Sequence, residues 1–205
     1  MSEPNYVILD GDENRRLAIY RQMASSRSVI PIAAVDDLGS AWPKSAWFLV
    51  HDTDGLLAEL QAAFAHHRCF HPIVVYSDHL DTDRIVTAIY NGAMNYVLWP
   101  FGLEQIELAN ARIESIANRR CSQAMERIDV RNRIDTMTQR EREVILGVRE
   151  GLSNKEIARD LSISPRTVEI HRANAFAKLG AKNTADATRM LGRAEDADTP
   201  IFEAG

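Results

Sequence analysis

Residues 138–191 read TQREREVILGVREGLSNKEIARDLSISPRTVEIHRANAFAKLGAKNTADATRML, and three positions in this segment carry the signal of a helix start. Thr138 and Ser153 are each followed three residues later by a glutamate, which is the pattern of a capping box. Ser164 precedes a proline, whose missing N–H is tolerated at the first helical position. The pattern predicts four short helices, over about 139–149, 154–161, 165–179 and 184–192.

The second and third of these helices are joined by only three residues, Ser162, Ile163 and Ser164. Two helices on so short a turn, the second with a basic N-terminal half, predict a helix-turn-helix. Apolar residues recur at positions that would hold the helices around one small core: Ile145, Ile157, Ala158, Leu161, Val168 and Leu179. The segment is therefore expected to form an all-α domain of four helices.

The first half of the chain alternates short apolar runs with helical stretches, and the five runs begin near residues 6, 28, 46, 73 and 96. This alternation predicts a parallel sheet that is covered on both faces and carries functional groups at the carboxyl ends of its strands. We therefore expect an α/β doubly wound domain with five parallel strands. The strand ends are expected at Asp10, His51, Ser77 and Trp99.

No glycine or proline occurs between Glu104 and Met137. This composition predicts a last helix that packs on the first domain and continues as a solvated helical linker. Two seven-residue rows within it are apolar at both ends and polar in the middle, so a continuous coiled-coil dimer is the weaker alternative. The predicted parts are a first domain (1–117), a linker (118–137), a helix-turn-helix domain (138–193) and an acidic tail (194–205).

Charge is distributed unevenly over these parts. Residues 1–117 hold 8 basic and 15 acidic side chains, whereas residues 138–193 hold 11 basic and 7 acidic ones. The tail, 194–205, holds four acidic side chains and no basic one. A basic module on a chain of net charge -5 indicates an anionic partner that is met locally, such as nucleic acid.

Several other classes of protein are disfavoured. Apolar windows fall short of the roughly 18 residues of a membrane helix, and the N-terminus lacks the pattern of a signal peptide. Cys69 and Cys121 are too few for a disulfide framework and form no CxxC pair. We expect a cytoplasmic protein with no membrane partner, no cofactor and no enzymatic activity.

Residues 138–191 resemble the DNA-binding domain of the LuxR/NarL/FixJ class of bacterial regulators, with the spacing of GLSNKEIA, ISPRTVEIH and KLGA intact. The resemblance implies a sequence-specific transcription regulator that binds double-stranded DNA as a homodimer and works with RNA polymerase. Four side chains can reach DNA phosphates near helix N-termini, where helix dipoles favour anions: Lys155, Arg166, Thr167 and Arg172. The base-facing positions of the family correspond to Glu169, Ile170 and Ala173. Glu169 has an alternative, because it can instead bridge to Arg166 or Arg172 on its own helix.

Residues 5–117 resemble the receiver domain of two-component response regulators, which has a flavodoxin-like fold. A working receiver holds two acids for Mg²⁺ after the first strand, an acceptor aspartate after the third, a threonine or serine after the fourth and a lysine after the fifth. Asp10 and Ser77 fit this family's pattern. Three positions depart from it, with Gly11 at the second acid, His51 at the acceptor and Trp99 at the lysine. Tryptophan offers one N–H and no charge, so it cannot replace the lysine. Together, the three departures from the family's pattern predict a degenerate pocket and a regulator that acts without aspartyl phosphorylation.

Two alternatives keep the pocket or change the function. Asp12 and Asp52 each lie one residue after a position that the family fills with an acid, so Asp10, Asp12 and Asp52 are a candidate remnant of the Mg²⁺ site. On this alternative, a histidine kinase phosphorylates Asp52. The other alternative is an adaptor that titrates a kinase or another regulator. On the main interpretation, Tyr96 matches the switch aromatic of the family and Trp99 stacks into the emptied pocket. The receiver-like domain then serves dimerisation or the input of a partner or ligand.

A short segment before the fourth apolar run holds the remaining candidate ligands. It contains four side chains that are possible metal or haem ligands: His66, His67, Cys69 and His71. Their spacing fits no helical pair, and a solvated loop is the simpler interpretation.

Overall fold

The computed structural model describes residues 6–195 and separates into two compact units that divide between Met125 and Glu126. In the N-terminal unit the elements are β1 (Tyr6–Leu9), α1 (Glu13–Met23), β2 (Val29–Ile32), a 3-10 turn (Val35–Leu38), β3 (Trp47–His51), α2 (Leu56–His66), β4 (Ile73–Ser77), α3 (Thr82–Tyr90) and β5 (Asn95–Leu98). Next comes α4 (Leu103–Asp135), whose last part belongs to the C-terminal unit. That unit continues with α5 (Gln139–Arg149), α6 (Asn154–Asp160), α7 (Pro165–Leu179) and α8 (Thr184–Glu195).

The N-terminal unit is built on one parallel sheet with the strand order β2-β1-β3-β4-β5. The inner strands β1 and β4 are buried along their whole length, which explains why their sequences are nearly continuous apolar runs. At the edge, β5 is more exposed, and Leu98 keeps 45% of its surface in solvent. The predicted five-stranded α/β domain is confirmed.

Both faces of the sheet are covered, because alternate residues of a strand point to opposite sides. Leu9 and Val50 face a cluster that includes Phe64 of α2. Ile8 and Leu49 face a second cluster, which α1 and the start of α4 complete. The sheet is thus doubly wound, and its carboxyl edge is held between two packed cores.

The C-terminal part of α4 packs on the second unit. Val130 is 5% exposed and shares a cluster with Ile134 and with Met137, which follows the helix. The predicted solvated linker over 118–137 is therefore wrong at its C-terminal end, because these apolar side chains cover the core of the helical unit.

Helices α5, α6 and α7 begin where the sequence predicts. Thr138 and Ser153 form complete capping boxes, and the Ser164 hydroxyl accepts the N–H of Thr167. Gly180 ends α7 with a φ of 77°, a left-handed conformation that glycine adopts without strain. The predicted four-helix unit is confirmed.

The apolar core of this unit is divided into two clusters, where the sequence predicted one. Ile145 and Leu179 pack with α4 and α8, whereas Ile157 and Val168 join α6 to α7. Phe176 contacts both clusters.

Helix α8 runs past the predicted domain end at 193, and Ala194 is buried in the core. Residues 196–205 of the predicted acidic tail lie outside the described residues. Within residues 6–195, no helix combines the length and the apolar character needed to cross a bilayer.

Candidate receiver pocket and candidate nucleic-acid interface

The register of the sheet brings the predicted pocket residues to one edge. Leu9 pairs with Val50, so Asp10 follows β1 at the level of His51. His51 in turn pairs with Tyr76. The pocket residues predicted from the strand ends therefore share one site, as the parallel topology requires.

Asp10 is an almost fully buried carboxylate, with 1% of its surface exposed. The Arg15 guanidinium donates to it twice, at 2.6 Å from Nε and 2.9 Å from Nη2. The Tyr76 hydroxyl donates at 2.7 Å and the Asp12 N–H at 2.9 Å. Burial alone would raise the pKa of Asp10, but the donors from Arg15, Tyr76 and Asp12 outweigh it and hold the pKa below its usual range.

Arg15 also joins a second carboxylate, since its Nη1 lies 2.8 Å from Asp78. The hydrogen bonds to Asp10 and its charge keep the pKa of Arg15 above its ordinary value. Sequence reasoning missed this residue. The available signal was a basic side chain in the first turn of α1, where the helix dipole disfavours a positive charge.

The candidate Mg²⁺ remnant of Asp10, Asp12 and Asp52 is not assembled in the structure, because its three carboxylates have other partners. The Asp12 side chain caps α1 by accepting the Arg15 N–H at 2.8 Å. Asp10 is occupied by Arg15, and Asp52 is occupied by Arg84. Among residues 6–195, no three acidic, histidine or cysteine side chains are grouped as a metal site requires. The residues present do not fit a magnesium ion.

Asp52 forms a two-pronged ion pair with Arg84 of α3. Arg84 Nε donates to Oδ2 at 2.7 Å, and Nη2 donates to Oδ1 at 2.9 Å. The Tyr96 hydroxyl donates to Oδ2 at 2.6 Å. Burial would raise the pKa of Asp52, but Arg84 and Tyr96 lower it overall. The candidate acceptor carboxylate is thus already engaged on both oxygens.

Tyr96 is tied to the pocket through its hydroxyl. Burial, together with donation to the Asp52 carboxylate, raises the pKa of Tyr96 to about 12. Arg84, which sequence reasoning also missed, reaches Asp54 as well, at 2.9 Å. Asp52 and Arg84 line a cleft of about 310 Å³ beside α2 and α3.

His51, at the position expected for the acceptor, bonds through Nδ1 to the Thr53 hydroxyl at 2.8 Å. Its buried Nε2 lies 3.7 Å from Asp78 and has no hydrogen-bond partner. Burial, reinforced by the positive charge of Arg15, lowers the pKa of His51. The imidazole therefore stands as a neutral group in the pocket at neutral pH.

Trp99 stands at the position of the family's lysine and packs its ring edge to face on Phe101, with centroids 5.1 Å apart. It belongs to the cluster that α1 and α4 complete. Ser77 is 7% exposed, and its carbonyl accepts the Trp99 N–H at 2.8 Å. No cation comes from this position.

Two of the histidines near residues 66–71 pack against aromatic rings of the N-terminal unit. His71 is 3% exposed and lies against Phe48 and Phe64, and burial lowers its pKa to about 4. His67 stacks on Trp42 at 4.6 Å. The structure thus gives these two side chains packing roles.

The second candidate site is the outer face of α6 and α7. Side chains at the predicted base-facing positions point outward, and Ile170 is 51% exposed. Glu169 pairs with Arg166 at 2.9 Å, which is the alternative foreseen for it. Both side chains are at least half exposed, and such a pair contributes little and exchanges readily.

Arg172, for which a phosphate contact is predicted, has partners within the helical unit. Its guanidinium donates to Asn154 of α6 at 3.0 Å and to Thr184 of α8 at 2.6 Å. It also lies over the Phe176 ring, 5.2 Å from the centroid. The side chain links the three helices α6, α7 and α8.

Residues 135–191 match the model of the LuxR family of bacterial regulatory proteins. The chain is 39% identical over 123 residues to the transcriptional regulatory protein FixJ of Rhizobium meliloti strain 1021, covering 58% of each chain. It is 37% identical over 120 residues to the C4-dicarboxylate transport transcriptional regulatory protein DctR of Rhodobacter capsulatus, covering 58% of this chain and 60% of that one. Residues 135–191 thus match the LuxR family of regulatory proteins, and the chain is similar to the regulators FixJ and DctR.

The LuxR-family match covers the helix-turn-helix and its flanking helices. The chain spans about three fifths of the length of the curated relatives it matches. Both relatives carry the names of regulatory proteins, and neither name is that of an enzyme. The solved structure of the response regulator StyR aligns with a TM-score of 0.54 and 21% identity, covering 94% of this chain and all of that one, and shows the likeness of fold.

Proposed function

We propose that this chain is a sequence-specific DNA-binding transcription regulator of the FixJ/NarL type, without enzymatic activity, that acts independently of aspartyl phosphorylation. The capped helix-turn-helix of α6 and α7 carries the DNA-binding half, since it presents an exposed outer face within a segment that matches the LuxR family. The occupied carboxylates of the receiver pocket support the second half.

DNA phosphates are proposed to meet Lys155 and Arg166, which are exposed near the N-termini of α6 and α7. The Lys155 side chain is exposed in the first turn of α6. Thr167 is proposed to bind through its N-terminal position, although its hydroxyl is shared with Ser164 at 2.8 Å. These contacts would position the protein on the duplex.

Bases are proposed to meet Glu169, Ile170 and Ala173, which are exposed on one face of α7. Glu169 can accept from cytosine N4, while Ile170 and Ala173 suit a thymine methyl. The pair with Arg166 must open for Glu169 to reach a base, which costs little at so exposed a position.

The role of each side chain is tested by DNA affinity as a function of salt. Lys155→Ala should flatten the plot of log affinity against log salt by about one unit, since each phosphate contact contributes about 0.9. Glu169→Ala should leave that slope unchanged and alter the preference between cognate and base-substituted sites. Identical behaviour of both variants on all sequences would contradict the assignment.

Independence from phosphorylation rests on the pocket. Trp99 occupies the position at which the receiver family has a lysine. Both oxygens of Asp52 accept hydrogen bonds from Arg84 and Tyr96. We expect the untreated full chain to bind its DNA site with an affinity that beryllofluoride and Mg²⁺ leave unchanged. Binding that arises only after beryllofluoride, and that Asp52→Ala abolishes, would instead favour a phosphorylated regulator acting through Asp52.

The receiver unit is proposed to serve as a dimerisation surface. Exposed apolar side chains lie on α3 and on the edge strand: Val86 (62%), Tyr90 (59%) and Leu98 (45%). Sedimentation equilibrium of the full chain tests this, and Tyr90→Glu should shift the mass toward the monomer. An unchanged mass would remove this surface from the proposal. RNA polymerase and a histidine kinase stay predictions from the resemblance.

A further inference from the structure

The Asp10 carboxylate has no room left for a metal ion. An ionised carboxylate offers about four lone-pair sites. One oxygen accepts from Arg15 Nη2 and the Asp12 N–H, and the other accepts from Arg15 Nε and the Tyr76 hydroxyl. All four donors are supplied by the chain itself.

The charge of Asp10 is also already neutralised. Arg15 is the cation, and its side chain is 16% exposed against 1% for Asp10. Its Nη1 binds Asp78 at 2.8 Å, so one guanidinium bridges the loop after β1 and the loop after β4. A divalent ion in the same place would face this positive charge at contact distance, with repulsion that the low-dielectric site screens poorly.

The start of α1 explains why Arg15 lies in this position. Asp12 is the N-cap and accepts the backbone N–H of Arg15, which fixes that residue in the first turn. A basic residue there opposes the helix dipole. The contacts with Asp10 and Asp78 compensate for this cost. One short loop therefore supplies both the carboxylate and its counter-ion.

We propose that Arg15 is the resident cation of this receiver pocket, in place of the divalent ion that the resemblance to receiver domains implies, and that it closes the pocket to Mg²⁺. This inference refines the receiver half of the proposed function. It separates from the DNA-binding half, because it concerns only whether a metal can enter.

Binding of Mn²⁺ to the full chain, followed by electron paramagnetic resonance with Mg²⁺ as competitor, tests the proposal. The Asp10→Asn variant should give the same Mn²⁺ binding isotherm as the unsubstituted protein, since Asp10 is not a metal ligand. Arg15→Ala should gain about one Mn²⁺ per chain that Mg²⁺ displaces, and adding Asp10→Asn should remove that gain. Arg21→Ala, an exposed arginine on the same helix, is the control for the loss of one positive charge.

The outcomes are distinguishable. Mn²⁺ bound by the unsubstituted protein and lost in Asp10→Asn overturns the proposal, as does a folded Arg15→Ala that gains no site or an Arg21→Ala that gains the same one. Should Arg15→Ala fail to fold, the comparison of Mn²⁺ binding by the unsubstituted protein and by Asp10→Asn still shows whether Asp10 is a metal ligand. Arg15→Lys, which keeps a cation, is then expected to stay closed to Mn²⁺. DNA binding by the same proteins is measured separately, so its absence counts against the proposed function alone.

Discussion

A carboxylate as deeply buried as that of Asp10 is stable as an ion only when positive charge and donors surround it. Arg15 supplies the charge from five residues away, and Tyr76 adds a donor from the neighbouring part of the sheet. Asp52 is treated in the same way by Arg84 and Tyr96. At this scale, two arginines determine what the pocket can bind.

Removing Arg15 should be costly for stability. Arg15→Met leaves Asp10 as a buried charge without its partner, a change that typically costs about 3–5 kcal/mol. Urea unfolding of the full chain measures this loss, with Arg21→Met as the matched exposed control. The double variant Arg15→Met with Asp10→Asn should recover part of the loss. A loss as small as that of the control would mean that the pair is unimportant.

Asp52 should make stability depend on acid. Its folded pKa is depressed, so the unfolded chain takes up the proton first as the pH falls. The stabilisation is fully present above the unfolded pKa of about 3.9 and is lost as the pH falls through the folded pKa. Urea midpoints across that range should therefore fall less steeply for Asp52→Asn than for the unsubstituted protein. Parallel curves would contradict the depressed pKa.

At the scale of elements, local signals were readable from the sequence and distant pairings were not. The caps at Thr138, Ser153 and Ser164 join residues three apart, so their pattern is visible in the letters. Arg84 meets Asp52 across 32 positions, and Arg172 meets Asn154 across 18. Such partners are set by how helices pack, which one sequence does not reveal.

The linkage of α6, α7 and α8 by Arg172 predicts an effect unlike that of a phosphate contact. Arg172→Met should weaken DNA binding and lower the unfolding midpoint of the helical unit, while the salt slope stays within a few tenths of its original value. Thr184→Val, which removes one partner and no charge, should act in the same direction. The comparison is Lys155→Ala, whose slope should fall by about 0.9. A full unit of slope lost in Arg172→Met would restore the phosphate role.

At the scale of the whole molecule, the chain combines an acidic α/β unit with a helical unit whose segment 138–193 is basic. The sequence predicted both folds, since strand alternation and capping are encoded along the chain. It misplaced the end of the linker, because Val130 and Ile134 look like sparse apolar residues until α5 and α8 are seen to pack on them.

Separate cores predict two unfolding transitions. Val130→Ala should lower the free energy of unfolding of the helical unit alone, by about 2 kcal/mol, because a buried valine loses its packing. Leu60→Ala, in the core of the other unit, should lower only the other transition, by about 2–5 kcal/mol. Calorimetry together with hydrogen exchange assigns each transition. Equal effects of both variants on both transitions would show that the units unfold as one.

The tether between Arg15 and the backbone has a consequence for how long a signal lasts. A metal ion can be withdrawn by a chelator and a phosphoryl group by a phosphatase, but a guanidinium on the polypeptide stays at fixed effective concentration for the lifetime of the molecule. On this proposal, the receiver pocket holds no removable ion or phosphoryl group whose loss could return the protein to an earlier state. Its output would follow the number of copies in the cell, and synthesis and proteolysis would take over the timing that a kinase cycle otherwise provides.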